Sequence, residues 1–431
     1  MNSVYAHKPE NYTLILRELM AEGGLSRAQL HRRTGLRPNT VGDVVEAMVA
    51  ADWVQEGGNQ VSKRGAGVKN RGRPAVRVEI NERDRDVVGL ALRPKQIEAV
   101  RLNLCGEKIG EVVVRAVQQP SKIAHVGAEL LEQLVSERSL AVGVSSTGLL
   151  DDGDMKLLFS SSAPRTPGLS LGPVLTAAGE LPIALEHDIH ALGDRWRLAH
   201  PEAAGHTVLL IELGDGAVGA SLMAAGGPAD AGCVRGGNEL GHMQVVAPNQ
   251  LIPDCYCGLH RCVERMFSSK MLQRLGVPSA FAEALEAWGR KDGPDDLAID
   301  MDRTPPPPGK PDEAIAWIMS LFSEAVANAV NLLRPHRVIW TGSGALSSVL
   351  PGAEAKLSTL TAHRLLPVLR ERVRFERWSM SDEPDDLAPA VTAGFLALTM
   401  LTHRRLPAAG EVTLRPVDHY SQTLPTAPGL S

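Results

Sequence analysis

The sequence predicts an α/β protein: a duplicated, two-lobed domain with a cleft between its lobes, preceded by a winged helix-turn-helix. Two observations carry this. Three short helical patterns with a glycine turn between the second and third fill the first fifty residues, and a strand–helix alternation that runs twice fills most of the remainder. A third observation needs its own explanation: "DCYCGLHRCVE" (254–264) holds three of the five cysteines within eight positions.

Composition sets the bounds. At 431 residues, with 44% hydrophobic and 22% charged residues, the chain suits two or three domains with real cores. It shows no run of about 18 apolar residues, so a membrane span is not expected. The opening "MNSVYAHKPENYTLILREL" is too polar for a signal peptide. A cytoplasmic protein follows, in which thiols stay reduced and clustered cysteines more often hold metal than each other.

The first helix is marked by Tyr12, Ile15, Leu16 and Leu19 at helical spacing. Ser26 with Gln29 three residues on makes a capping box for the second, and "TGL" (34–36) makes the turn after it. The third begins near Pro38 and places Val41, Val44, Val45, Met48 and Val49 on one face. Its N-terminal end presents Arg37, Asn39, Thr40 and Asp43, where a recognition helix reaches base edges. A three-helix scaffold with no nucleic-acid role has the same plan, but the charge that follows argues against it.

From Lys63 to Arg77 the chain carries Lys63, Arg64, Lys69, Arg71, Arg73 and Arg77 and no acidic residue. This is where a β-wing belongs, with "VRVEIN" (76–81) as its returning strand. The "RGRP" element (71–74) is of the kind that enters the narrow minor groove of A·T-rich DNA. Residues 1–80 hold 12 Lys and Arg against 8 Asp and Glu, whereas the whole chain has a net charge of −5. A basic module on an acidic body points to duplex DNA as a partner of the N-terminus alone. The bland alternative is a solvated basic loop.

From Asp86 onward, "VVGLAL", "QIEAVRLNL" and "KIGEVVVRAV" read as strands with a "CG" turn (105–106). A helix, the buried strand "AVGVSS", the helix "GPVLTAAG" and "PIALEHDIHALGDRW" complete a first round. The second begins at "HTVLLIELG" and "AVGASLMAAGG", is interrupted by the cysteine loop, and resumes with a long helix (312–335), "RVIWTGSGAL" and a final helix from about 387 to 402. Each round is expected to contribute three strands and crossover helices. Residues 291–313 read as a polar, Pro-rich loop. The domain limits expected are 1–82, 83–406 and a frayed tail, 407–431.

Zinc accounts for the cysteine loop. It takes four thiolate or imidazole ligands in a tetrahedron, and Cys255, Cys257 and Cys262 supply three. His242 in "ELGH" is the obvious fourth, giving a closed, structural site over 242–262. A disulfide with a spare thiol, or three unrelated cysteines, are the alternatives. Cys105 and Cys233 read as small hydrophobes or incidental thiols.

With the helix-turn-helix, the duplicated α/β body and "ELGH" followed by C-x-C-G-x-x-x-C-x-E, the chain resembles the ROK family (repressors, open reading frames and kinases) from about Asn11 to about Leu406. The resemblance implies an actin-like body, structural zinc on His242, Cys255, Cys257 and Cys262, and a sugar pocket braced by the zinc loop. It also implies that Glu239, His242 and Glu264 meet sugar hydroxyls, and that Asp188 stands at the catalytic base, with His187 replacing the asparagine before it. Serines in "FSSSAPRTPGL" (159–169) replace a second sugar-facing asparagine, so the pocket is altered.

ROK kinases cradle phosphates on a D-x-G-G-T hairpin after the first strand. Here "LALRPKQ" (90–96) has neither aspartate nor glycine, and Pro94 lacks an N–H. "LGDGAVG" (213–219) puts Asp215 where a threonine would face phosphates, leaving "TGSGA" (341–345) as a glycine-rich turn of the nucleotide subsite. The sequence therefore favours a repressor of carbohydrate genes, binding a DNA operator as a homodimer or homotetramer. Its sensor would bind a sugar or sugar derivative with no residual catalysis. An ATP-dependent sugar kinase and a regulator switched by a protein partner are the other two readings.

Overall fold

The computed structural model describes residues 9–59, 76–93, 95–151, 156–159, 168–203, 205–214, 216–225, 238–247, 251–277, 280–290, 305–379, 389–402 and 412–413. Helix α1 (Pro9–Glu22) turns Tyr12, Ile15, Leu16 and Leu19 inward. A short strand, β1 (Leu25–Ser26), leads to α2 (Arg27–Thr34). The Gln29 backbone N–H donates to the Ser26 hydroxyl while the Ser26 N–H donates to Gln29 Oε1, so two of the helix's orphan donors are satisfied reciprocally. Gly35 closes the helix at φ +71°, a left-handed conformation that favours glycine.

Helix α3 (Pro38–Ala50) then buries Val41, Val44, Val45 and Met48. Val49, expected on the same face, is 37% exposed. It lies one residue, about 100°, round the helix from Met48 and so falls off the buried stripe. Strands β2 (Val54–Asn59) and β3 (Val76–Ile80) pair antiparallel, and β1 joins β3 to give the order β1-β3-β2. The connection carrying Lys63, Arg64, Lys69, Arg71 and Arg73 lies outside the described residues.

The first lobe opens with β4 (Asp86–Leu92), β5 (Gln96–Asn103) and β6 (Lys108–Ala116), successive antiparallel neighbours. Gly106, at φ +87°, makes the turn before β6. Cys105 beside it is exposed, which fits the incidental thiol of the two expected readings rather than the small hydrophobe, and Cys233 lies outside the described residues. Helix α4 (Ile123–Leu134) crosses to β7 (Ser139–Ser146), which pairs parallel with β4. A small sheet of β8 (Leu149–Asp151), β9 (Lys156–Phe159) and β10 (Leu169–Ser170) precedes α5 (Gly172–Ala178). The serine-bearing stretch 160–167 lies outside the described residues. Strand β11 (Ile183–His187) then pairs parallel with β7 and runs into α6 (Asp188–Ala199).

The second lobe begins with the antiparallel pair β12 (Val208–Gly214) and β13 (Ala217–Met223). Among the described residues its sheet has four strands where three were expected. The 3-10 segment Asn238–His242 lies against β13. The cysteine loop leads to α7 (Val263–Met266), α8 (Ser269–Arg274) and α9 (Phe281–Arg290). Of the expected 291–313 loop, 291–304 lies outside the described residues, and Pro311 already opens α10 (Pro311–Leu333) at its first turn. By length and composition α10 could cross a membrane, but Ile315, Ile318, Met319, Phe322, Val326 and Val330 are buried in the lobe's core. Phe322 packs edge-on to Phe267, with centroids 5.1 Å apart.

Strand β14 (Arg337–Gly342) pairs parallel with β12; α11 (Leu346–His363), α12 (Pro367–Arg370) and β15 (Arg374–Arg377) complete the sheet as β13-β12-β14-β15. Helix α13 (Pro389–Thr402) returns to the first lobe and lies across β4 and β7. Last comes β16 (Val412–Thr413), parallel to Ile183 and Ala184. The expectation of a frayed tail therefore fails at these two residues, because β11 would otherwise present an open edge that invites another strand.

Backbone meets backbone where α13 crosses the sheet. A Cβ on Gly89 would lie 2.0 Å from the Ala390 carbonyl oxygen, and one on Gly143 would lie 1.9 Å from that of Ala393. Gly143→Ala should therefore destabilise the fold by about 3 kcal/mol or more, since overpacking against backbone has no side chain to yield. Gly205→Ala, with nothing within 4 Å, should change stability by less than about 0.5 kcal/mol. Urea unfolding of both variants checks this; equal midpoints would contradict the packing.

Candidate functional site

Register brings the site together. Leu92 on β4 and His187 on β11 both pair with Ser146 on β7, so the residues that follow them (Arg93, Thr147 and Asp188) stand along one rim at the carboxyl ends of parallel strands. The ends of β12 and β14 face them from the other lobe. Between the lobes lies a cleft of about 780 Å³, lined by every ligand-binding residue expected from sequence: His187, Asp188, Glu239, His242 and Glu264.

His187 is the N-cap of α6: the Ile189 N–H lies 3.3 Å from its Nδ1. Asp188 Oδ1 sits 2.9 Å from the same His187 nitrogen. Burial pushes the Asp188 carboxyl up, but His187, Arg93 and the Ile189 N–H together hold it below its ordinary value. For His187, burial pushes down and Asp188, Glu239 and Glu186 outweigh it, so the imidazole keeps its proton more tightly than usual. With the proton on Nδ1 the two form a charge-assisted pair, and the Ile189 N–H then donates to the Asp188 carboxylate rather than to that nitrogen.

Across the cleft, Glu212 on β12 is pushed up to about 7, first by burial and then by the Asp188 charge, while Ser343 and Arg93 draw it down. Nothing in the sequence alone singled it out.

The candidate metal ligands stand behind the cleft's other wall, and of the four only His242 lines it. Gly258, at φ +87°, turns the cysteine loop, and its N–H donates to the Cys255 carbonyl at 3.1 Å. Val245 N–H donates to Arg261 O and Val263 N–H to Met243 O, both at 3.0 Å, which laces the loop to the strand-like stretch after His242. The ligand atoms of His242, Cys255, Cys257 and Cys262 then lie within 4.8 Å of one another. Cys257 Sγ is 3.7 Å from Cys262 Sγ, and Cys255 Sγ is 3.6 Å from His242 Nδ1. Those separations match the edge of a tetrahedron with metal–sulfur bonds of about 2.3 Å, whereas a disulfide needs about 2.05 Å. Burial pushes the Cys255 and Cys262 thiols up, a cost that a bound cation would offset by stabilising the thiolates.

His242 faces both ways. Its Nδ1 points at the thiols, and its Nε2 lies 3.6 Å from both Glu239 Oε2 and Glu264 Oε2. Glu264 is 6% exposed and accepts a hydrogen bond from Tyr256 OH; burial raises its proton affinity, which Tyr256 and His242 oppose. Tyr256 also meets the His242 ring edge to face at 5.4 Å. Sequence reasoning missed Tyr256, though its place between two ligating cysteines, pointing away from them, was the available signal.

In the N-terminal module, Arg37 caps the start of α3 and is exposed with Asn39 and Asp43, while Thr40 is half-buried. None of them lines the cleft. The two regions meet through α13: Pro389 and Thr392 line the cleft, whereas Leu396, Met400 and Leu401 share a buried cluster with Tyr12, Ile15 and Leu19 of α1.

The sequence profile of the ROK family matches residues 117–364. A protein of Caldicellulosiruptor sp. (strain Rt8B.4) named for a xylose repressor is 21% identical over 350 residues, 77% of this chain and 82% of that one. The DNA-binding transcriptional repressor Mlc of Escherichia coli (strain K12) is 25% identical over 271 residues, 61% of this chain and 63% of its own. A crystal structure of a ROK family transcriptional regulator, described as a homologue of the E. coli Mlc protein, superposes with a TM-score of 0.65 at 18% identity. It covers 91% of this chain and 98% of that one, and so shares the fold.

Glu212 gives a pH test. The folded chain binds its proton more tightly than the unfolded chain, so the stability this adds is full below about 4.5 and is lost as pH rises through about 7. Between pH 5 and pH 8 the urea midpoint of Glu212→Gln should fall less than that of the native chain. Parallel profiles would show that Glu212 does not titrate in this window.

Proposed function

Because the chain belongs to the ROK family, we propose that it is a DNA-binding transcriptional repressor whose two-lobed body senses a carbohydrate without phosphorylating it. The observation that carries this reading is the His187–Asp188 pair. At the position of the catalytic base, the carboxylate is already engaged by an imidazole 2.9 Å away and held below its ordinary proton affinity. A carboxylate in that state is a poor base for a sugar hydroxyl. It remains a good acceptor of a hydroxyl hydrogen bond, as do Glu239 and Glu264. The relative named for a xylose repressor supports the assignment to carbohydrate genes, and the E. coli repressor supports DNA binding.

The four metal ligands hold zinc in this reading, as a closed structural site. Bound zinc fixes the His242 ring and its tautomer, so Nε2–H is presented to the cleft beside Glu239 and Glu264. At the other end of the molecule, α2, the Gly35 turn and α3 act as the helix-turn-helix. Arg37, Asn39, Thr40 and Asp43 face base edges, and β2 and β3 form the stem of a wing bearing the basic segment from Lys63 to Arg77. One such module reads a short half-site, so the repressor works as a cytoplasmic dimer or tetramer on a near-palindromic operator.

Three measurements check this reading. Metal analysis should find about one zinc per chain, and Cys257→Ser should lose it together with carbohydrate binding; zinc-free protein with unchanged binding contradicts the site. Asn39→Ala should cost about 1–3 kcal/mol on the operator and little on random duplex. Incubation with ATP, magnesium and D-glucose or D-xylose should give no sugar phosphate, and turnover would restore the kinase reading.

A further inference from the structure

Resting on the sensor reading above, we infer that the effector is an anionic carbohydrate, whose hydroxyls meet the Asp188–Glu239–Glu264 end of the cleft and whose phosphate or carboxylate seats on Arg93, with Lys95 beside it.

The β4–β5 turn puts these two cations at the mouth of the cleft. Arg93 follows the last residue of β4, and its N–H donates to the Gln96 carbonyl at 3.2 Å, closing the turn. Arg93, Lys95 and Gln96 all line the cleft. Strand order β11-β7-β4 sets Arg93 two strands from Asp188, about 10 Å at the usual spacing between strands. That is the spacing of their backbones, and both side chains line the same cleft, so one small ligand can meet both.

Their partners differ. Each carboxylate at the hydroxyl-accepting end has a neighbour in the protein: His187 for Asp188, His242 for Glu239, Tyr256 for Glu264. Arg93 is half-buried, yet no carboxylate of the described residues lies within 4 Å of it. By contrast, Arg337 reaches Glu376 at 3.3 Å and Arg101 reaches Asp86 at 3.7 Å. Arg93 is near enough to lower the proton affinity of both Asp188 and Glu212 without pairing with either. A planar guanidinium lining a cleft, with no ion-pair partner among the described residues, suits a bidentate phosphate or carboxylate. The 780 Å³ volume also lies in the upper part of the usual range of about 300–1,000 Å³, leaving room beyond a lone pyranose ring.

Calorimetric titration of the full-length, zinc-loaded protein with D-glucose, D-glucose 6-phosphate, D-glucuronate and inorganic phosphate tests this. An anionic sugar should bind at least tenfold more tightly than glucose, and which of the two does so tells a phosphate from a carboxylate ligand. Arg93→Ala should remove that tenfold advantage and leave glucose binding within twofold, with Arg93→Lys recovering part of it. An unchanged melting temperature and zinc content would show that both variants fold. Glucose binding as tightly as its anionic derivatives, an unaffected Arg93→Ala, or inorganic phosphate binding as well as the sugar phosphate would each overturn the inference alone. If no carbohydrate binds at all, the sensor reading falls and this inference falls with it.

Discussion

The cleft depends on one imidazole being held from behind. His242 has thiols on its Nδ1 side and two carboxylates on its Nε2 side, so whatever fixes the ring also fixes what the ligand meets. A neutral histidine free to rotate or change tautomer would offer either a donor or an acceptor to the same hydroxyl. Held at Nδ1, it can offer only a donor. Tyr256, from between two of the thiols, holds Glu264 in turn, so the cysteine loop supports both an acid and an imidazole on the cleft wall. The Asn238–His242 segment, packed on β13, places this machinery at the edge of the second sheet.

Opposite it, the first lobe is held by contacts that tolerate no side chain. Glycines on β4 and β7 let the α13 backbone lie on the sheet at touching distance, which fixes where Pro389 and Thr392 enter the cleft. The same strands end at Arg93 and Thr147. Packing under the sheet thus determines the position of polar groups along its rim.

Much of this was legible because it is local. The capping box at Ser26 and Gln29, the Gly35 turn, the α1 stripe and the set of His242 with three cysteines each depend on spacing within a short stretch, and the structure bears out their geometry. What escaped depends on distant register. The stretch "LALRPKQ" was weighed for the aspartate and glycines it lacks. The value of Arg93 emerges only when β4, β7 and β11 are aligned and Asp188 appears two strands away. Glu212 is unremarkable in β12 until the fold sets it in the cleft with Asp188. Val412–Thr413 read as tail because nothing nearby in sequence reveals the open edge of β11. Val49 was misplaced by a single helical step.

The buried cluster shared by α1, α3, β5 and α13 bears on how this protein can be dissected. Arg85 adds polar stitches across the same seam, donating to Ala51 O at 2.9 Å and to Glu137 O at 3.2 Å. The proposed boundary after residue 82 therefore falls on a glued seam rather than a tether. Cutting there would leave Tyr12, Ile15 and Leu19 bare on one fragment and Leu396 and Leu401 bare on the other. Such oily scars favour self-association, and a truncated body would report stickiness where the intact chain reports sensing.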